Sequence, residues 1–69
     1  MINKGDRFIH KKTGDVYLIV SKTKIKIFEE WVQGVIYTRD DLEYGDLYTR
    51  EIKNFMDKFE KIFNNREYL

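Results

Sequence analysis

Residues 31–40 constrain the fold more than any other stretch of the chain. They read Trp-Val-Gln-Gly-Val-Ile-Tyr-Thr-Arg-Asp, a run of β-branched and aromatic residues that is typical of a strand. Because side chains alternate along a strand, the stretch has two faces. We expect the small aliphatic face, made of Val32, Gly34, Ile36 and Thr38, to be directed into the core. We expect the face of aromatics and a cation, made of Trp31, Gln33, Val35, Tyr37 and Arg39, to be available for binding.

The size of the chain limits how its core is stabilised. A chain of 69 residues has a marginal core, and small domains usually add a disulfide, a metal or a partner chain. The absence of cysteine excludes disulfides and thiolate metal sites, and a single histidine makes a zinc site unusual. The remaining ways to stabilise the core are unusually good packing and self-association. With five tyrosines, five phenylalanines and one tryptophan to cover, we expect a homo-oligomer.

Charge and hydropathy limit the classes of partner that the protein can have. Thirteen basic and twelve acidic residues give a net charge of +1, whereas a dedicated nucleic-acid-binding protein has a basic pI and a clustered basic stripe. The sequence has no apolar run long enough to span a membrane and no signal-peptide core near its start. We therefore expect a cytoplasmic protein with no membrane partner, and nucleic acid is the less favoured partner.

The first part of the chain predicts a hairpin. Residues 6–11 form a first strand, with Phe8 and His10 on one face, and residues 16–20 form an apolar second strand. Gly14 lies in the turn between them, where it is free to adopt positive φ.

The next stretch, residues 21–28, alternates lysine with threonine or isoleucine and predicts a strand with one basic face. The basic residues are Lys22, Lys24 and Lys26. We favour solvated edge lysines that discourage strand addition, and an anion-binding stripe is the alternative.

A short strand over residues 46–50 follows a loop and places Tyr48 and Arg50 on one face. Pairing of this strand with residues 31–40 brings Tyr37 and Arg39 into the same neighbourhood.

Residues 51–63 predict one amphipathic helix, with Thr49 as its N-cap and Asn64 and Asn65 as its stop. Its apolar stripe comprises Ile52, Phe55, Met56, Phe59, Ile62 and Phe63. Residues 1–69 therefore form a single domain with a sheet at 5–50, a helix at 51–63 and a tail at 64–69. The class is α+β: a small, strongly bent antiparallel sheet or SH3-like barrel of four to five strands, capped by a C-terminal helix.

Several positions together carry a resemblance that covers most of residues 5–62. They are Gly5, Phe8, His10, Val16-Tyr17, Gly34-Val35-Ile36-Tyr37, Tyr48, Arg50, Phe55 and Phe59-Glu60. The chain resembles a family of short bacterial and phage proteins known only as a domain of unknown function. Members usually read Tyr-x-His near the start and aromatic-x-Arg-Pro before the helix, where this chain has Phe8 and Glu51 instead of the tyrosine and the proline.

That resemblance implies an SH3-like barrel and a non-enzymatic role, with His10, Tyr37, Tyr48 and Arg50 as the matching polar and aromatic positions. In size and composition the chain is also similar to small oligomeric phage anti-defence proteins, some of which trap nucleotide-derived immune signals.

The residues do not predict catalysis. As a general base His10 would need a nucleophile beside it, and the only serine, Ser21, follows a buried strand. The adjacent acids at 29–30 and 40–41 are typical of turns, and no glycine-rich phosphate loop exists. We expect no enzyme, no cofactor and no metal.

A binding role fits the residues better. Arginines bind phosphate or carboxylate through planar bidentate contacts, aromatic rings stack on nucleobases, and polar side chains read base edges. The candidate ligand-binding residues are His10, Trp31, Gln33, Tyr37, Arg39, Tyr48 and Arg50. Alternatively, the tyrosines pack beneath the helix and the arginines pair with Asp40, Asp46 or Glu51.

Three hypotheses follow. The first is a homo-oligomer that sequesters a small nucleotide-like ligand without cleaving it. The second is a module that binds a host protein through the Trp31 face or an exposed strand. The third is a nucleic-acid-binding barrel that uses the three lysines and the aromatics, with a steep salt dependence.

Overall fold

The computed structural model describes residues 2–41 and 45–63. In chain order the elements are β1 (Arg7–His10), β2 (Val16–Ile27), β3 (Glu30–Arg39), β4 (Tyr48–Glu51), α1 (Ile52–Lys58) and β5 (Phe59–Ile62). The strands form one antiparallel sheet of five in the order β4-β3-β2-β1-β5. This confirms the α+β class. The order leaves β4 and β5 at opposite edges, so the sheet is open.

The predicted hairpins form, with modified bounds. β1 pairs with β2 across a turn in which Gly14 has a φ of 82°, and β3 pairs with β4 with Tyr37 opposite Tyr48. The stretches 16–20 and 21–28, predicted as separate strands, form the single strand β2 as far as Ile27.

A β-bulge inside β2 changes which side chains share a face. Ile19 pairs with Tyr37, but the register shifts after it, and Lys22 pairs with Val35. Directly opposed residues in an antiparallel pair lie on the same face of the sheet. The extra residue therefore places Lys22 on the face of Ile19, where unbroken alternation would have put it on the other face.

The prediction of which face of β3 enters the core was wrong. Val35 and Tyr37, assigned to the binding face, are 0% and 5% exposed. On the predicted core face, Gly34 is buried, but Val32, Ile36 and Thr38 are only half-buried. The reason is that α1 covers the side of the sheet that carries Val35 and Tyr37. On that side the ring centroids of Phe55 and Tyr37 lie 5.0 Å apart. We call the side that carries Val35 and Tyr37 the core face.

A hydrophobic cluster that contains four aromatic rings fills the core. Its buried members are Ile2, Phe8, Ile19, Val35, Tyr37, Phe55 and Phe59. Phe55 stacks on Phe59 with ring centroids 4.1 Å apart and contacts Phe8 edge-on at 5.0 Å. Such ring pairs add about 0.5–1.5 kcal/mol each beyond the area they bury, so Phe55 contributes heavily to stability.

The helix is shorter than predicted. It ends at Lys58, and residues 59–62, predicted as its last turns, form β5 against β1, with Phe59 opposite His10. The N-cap is Glu51, without a side-chain capping bond, rather than Thr49. The predicted stop and the tail at 64–69 lie outside the described residues.

The cause of this error is that helical spacing alone does not determine secondary structure. β1 offers unpaired backbone groups along one edge, and a strand at 59–62 satisfies them while it still buries Phe59. Tertiary pairing thereby overrides the helical pattern. Three members of the predicted apolar stripe, Met56, Ile62 and Phe63, remain exposed.

We expect Phe55→Ala to destabilise the domain by about 3–5 kcal/mol, because it leaves a cavity between several rings. At about 0.05–0.15 kcal/mol of stability per residue, this is much or all of what a small domain has. Urea denaturation followed by circular dichroism measures the loss. Phe28→Ala is the matched control, because Phe28 is 94% exposed, and it should change the free energy of unfolding by less than about 0.5 kcal/mol. Equal losses would contradict the assignment of Phe55 to the core.

The backbone conformation of the β2–β3 turn predicts that substitutions there can stabilise the protein. Phe28 and Glu29 have φ values of 49° and 68°, a left-handed pair that favours Asn-Gly. We expect the double variant Phe28→Asn/Glu29→Gly to raise Tm by several degrees, because left-handed backbone costs a bulky residue about 1–2 kcal/mol. Lys12→Gly, at a turn position without positive φ, is the control and should not raise Tm. A similar rise in both variants would contradict this account of the turn.

Candidate functional site

A cavity of about 250 Å³ opens beside the aromatic core. Its lining comes from all five strands and from the β1–β2 turn, so segments far apart in sequence build it together. The lining residues are His10, Thr13, Tyr17, Tyr37, Tyr48, Arg50 and Phe59.

Strand register brings these side chains together. Tyr48 lies opposite Tyr37, and Arg50 lies opposite Val35, so β4 directs both of its site residues to the core face. On the other side, His10 pairs with Phe59 across β1 and β5. The cavity therefore depends on both edge strands.

Tyr17 is the central ring of the cavity wall. It meets Tyr37, Tyr48 and Phe59 edge-to-face, with ring centroids 5.4, 6.2 and 5.4 Å away. Burial, reinforced by the negative charge of Asp15, raises the pKa of Tyr17 above its usual value. The phenol therefore stays neutral at physiological pH and retains its hydroxyl proton.

Arg50 carries the positive charge of the cavity. Its Nε donates a hydrogen bond to the Tyr37 hydroxyl at 3.0 Å, and Nη1 donates to Oδ1 of Asn54 at 2.6 Å. Its Cζ lies 5.6 Å from the centroid of the Phe59 ring. Both hydrogen-bond partners are neutral, and within residues 2–41 and 45–63 no carboxylate lies in ion-pair range of Arg50. The half-buried guanidinium is thus held in place without being neutralised.

Arg39 has the opposite environment. Its Nε and Nη2 donate to the two carboxylate oxygens of Asp41 at 3.0 and 2.8 Å, and Nη1 lies 3.5 Å from Asp15. The hydrogen bond from Arg39 lowers the pKa of Asp41, and the same bond raises the pKa of Arg39. Arg39 is therefore paired with acids, as in the alternative considered for both arginines, but not with any of the three acids named there. Asp40, one of the expected partners, instead accepts a hydrogen bond from Arg7 at 2.9 Å.

His10 contributes a polar ring nitrogen. Its Nδ1 lies 3.1 Å from the Thr13 hydroxyl, which also accepts a hydrogen bond from the backbone N–H of Asp15 at 3.2 Å. The His10 ring meets Phe59 edge-on at 4.7 Å. These contacts fix the orientation of the imidazole at the cavity and engage only one of its nitrogens.

The structure separates the seven predicted binding residues into two groups. His10, Tyr37, Tyr48 and Arg50 line the cavity, whereas the other three lie outside it. Trp31, at 65% exposure, and Gln33 lie toward the far end of the β2–β3 hairpin. Arg39 is engaged with its acids.

Sequence reasoning missed Thr13, Tyr17 and Phe59. Tyr17 was read only as part of a buried strand, although its place in the first hairpin puts it opposite Phe8. Phe59 could not be placed while residues 59–62 were assigned to a helix. Thr13 belongs to a turn, where the sequence carries no signal for a cavity.

Comparison of the chain with protein-family models, with curated proteins and with solved structures gave no match. Across residues 2–41 and 45–63, no cluster of three or more histidine or acidic side chains is arranged to hold a metal ion. No helix in that part of the chain is long and apolar enough to cross a membrane.

We expect Tyr37→Phe to cost about 1 kcal/mol of stability, because it keeps the ring but removes the hydroxyl that accepts a hydrogen bond from Arg50. Tyr48→Phe is the control, since Tyr48 is 40% exposed and its hydroxyl makes no hydrogen bond within the described residues. Urea denaturation of both variants measures the difference. Equal stability of the two would show that the Tyr37–Arg50 bond contributes nothing.

Proposed function

We propose that the protein is a non-enzymatic binding protein of the phage anti-defence type, which sequesters a nucleotide-derived signalling molecule. One observation carries the proposal: Arg50, which has no carboxylate partner within residues 2–41 and 45–63, lines a cavity walled by aromatic rings. A guanidinium binds phosphate through charge-assisted hydrogen bonds, and aromatic walls accept a flat base. The ligand therefore combines an anionic group and a planar ring.

Binding without cleavage is supported by the chemistry of the lining. Among the described residues no carboxylate lines the cavity, and the hydroxyls available are those of Thr13 and the tyrosines. His10 is directed to Thr13, a secondary alcohol on an exposed turn, and no acid in the described part of the chain orients its ring. Such a site has cationic and aromatic recognition groups but lacks an activated nucleophile.

The size of the cavity supports self-association. At about 250 Å³ it is smaller than the usual range of ligand sites, about 300–1,000 Å³. Tyr48 lies at the open edge of the sheet, beside the exposed Leu47. We infer that a second copy packs at this edge and enlarges the cavity. The homo-oligomer predicted from the size of the chain would then complete the site.

The proposal also assigns the fold to an open variant of the SH3-like barrel. Supporting features are a long second strand with a bulge, the order β4-β3-β2-β1-β5, and a helix that connects the two edge strands. The resemblance to the family of short bacterial and phage proteins points the same way.

The first test is a thermal-shift screen against nucleotides, cyclic dinucleotides and ADP-ribose derivatives, with mass analysis of the ligand after release. A ligand at about 100 times its Kd adds about 2.7 kcal/mol, which raises Tm of a small domain by about 10 °C or more. We expect a shift with one compound class and recovery of the compound intact. Recovery of a cleaved product would contradict sequestration, and the absence of any shift would favour the protein-binding module.

Arg50→Gln tests the residue that carries the proposal. We expect it to weaken binding of the compound identified by the screen about 10- to 100-fold, because a hydrogen bond to a charged group is worth about 1.5–3 kcal/mol. Arg39→Gln removes the same charge from a paired arginine and should leave the Kd unchanged. Isothermal titration calorimetry measures both affinities. Equal weakening would mean that only the general charge of the protein matters.

A further inference from the structure

The far half of the β2–β3 hairpin stands apart from the rest of the sheet. β1 pairs with β2 only at residues 16–18, and β4 pairs with β3 only at 34–37. Residues 23–33, which we call the arm, therefore form a two-stranded ribbon between these limits and the turn. The molecule measures 47 Å along its longest axis and 26 and 22 Å along the others.

The arm has one basic face, which comes from the alternation of lysines, and the bulge in β2 places it on the core face. On this face Lys24 lies opposite Gln33, and Lys26 lies opposite Trp31, with the ammonium of Lys26 5.8 Å from the indole centroid. Lys22 continues the row toward the sheet. All three lysines are exposed.

The acidic residues of the arm leave the basic face largely free of negative charge. Glu30 pairs with Ile27 and lies on the opposite face, and Glu29 occupies the turn, 3.6 Å from Lys26. Within residues 2–41 and 45–63, Lys22 and Lys24 have no acidic partner. The face is thus a row of cations that is neutralised only near the tip.

A groove of about 360 Å³ lies at the base of the arm, where β3 extends beyond the end of β4, and residues from both faces of β3 line it. Gln33 forms part of its wall and is the cross-strand neighbour of Lys24, so the cation row leads into the groove. The lining residues are Val32, Gln33, Glu51, Ile52 and Lys53. Its surface is mainly apolar, with the Gln33 amide, which can pair with the edge of a base, and the charged side chains of Glu51 and Lys53.

The spacing of the lysines and the exposure of Trp31 indicate which ligand the arm binds. Alternate residues on a strand are about 6.6 Å apart, a repeat close to that of successive phosphates in an extended nucleic-acid strand. Trp31, at 65% exposure, presents a flat ring beside the cations. Aromatic stacking beside a row of cations is how proteins bind single strands, whose bases are free to stack, whereas the bases of a duplex are not.

We propose that the arm binds single-stranded nucleic acid. The phosphates lie along Lys22, Lys24 and Lys26, one base stacks on Trp31, and a neighbouring base enters the groove beside Gln33. None of these residues lines the cavity around Arg50, although Lys22 and Arg50 flank Val35 from the two neighbouring strands. The protein would thus have two adjacent binding sites with different ligands.

Fluorescence anisotropy with a labelled oligothymidylate tests the proposal across a salt series. Since each phosphate contact on a single strand contributes about −0.7 to the slope of log K against log salt, three lysines predict a slope of about −2. We expect Lys24→Gln/Lys26→Gln to reduce the slope by about 1.4. Lys4→Gln/Lys12→Gln is the matched control, because both lysines are exposed and lie outside the arm, and it should retain the full slope. Equal effects of the two double variants would overturn the proposal.

Trp31 provides a second readout, since it is the only tryptophan in the chain. Stacking should quench its fluorescence on addition of oligothymidylate. We expect Trp31→Ala to weaken binding about 5- to 150-fold and Trp31→Phe to weaken it less, because phenylalanine still stacks. Arg50→Gln should leave oligothymidylate binding intact, which separates this proposal from the function proposed for the cavity.

Several outcomes would overturn the proposal. One is the absence of any anisotropy change with oligothymidylate. Another is binding of a duplex that is as tight as binding of oligothymidylate and leaves Trp31 fluorescence unquenched. A blue shift of Trp31 fluorescence with vesicles of phosphatidylcholine and phosphatidylserine, without binding of oligothymidylate, would assign the arm to an anionic membrane surface instead.

Discussion

The stack of Phe55 on Phe59 is the contact on which the rest of the fold depends. Since β4 and β5 lie at opposite edges of the sheet, the chain must pass from one edge to the other between residues 51 and 59. It does so through a helix of seven residues, far too short to be stable alone. Burial of Phe55 against Phe8, Tyr37 and Phe59 fixes the helix to the core face, and the same stack aligns β5 with β1.

The cavity is an extension of this core rather than a feature added to it. Tyr37 packs one ring surface against Phe55 and offers its hydroxyl to Arg50, and Phe59 supports both Phe55 and the imidazole of His10. The rings that stabilise the domain therefore also set the walls of the site. Such coupling suits a small protein, because no separate scaffold is needed to hold the guanidinium in position. It also means that only conservative changes at Tyr37 or Phe59 distinguish a loss of binding from a loss of folding.

Local alternation in the sequence was sufficient to predict the first four strands, with β2 expected as two, the hairpins and the proximity of Tyr37, Tyr48 and Arg50. It was insufficient where one residue or one pairing partner decides the outcome. The bulge after Ile19 shifts the register by one residue, which moves the lysines to the core face, and no sequence signal marks it. Residues 59–62 fit a helix by spacing, yet they form β5 because the edge of β1 needs a partner. The core face of β3 was misassigned because side-chain size was considered without the helix that covers it.

The near-neutral net charge conceals an uneven distribution of ion pairs. Arg7, Arg39 and Lys61 all have acidic partners, at 2.9, 2.8 and 3.3 Å from Asp40, Asp41 and Asp6. Arg50, Lys22 and Lys24 have none within the described residues, and strand register places all three on the core face. A cation that is already paired gives up that partner when it binds an anion, whereas an unpaired cation does not. The capacity of this face for anions therefore depends on which cations lack acids, a property that the overall charge of +1 does not reveal.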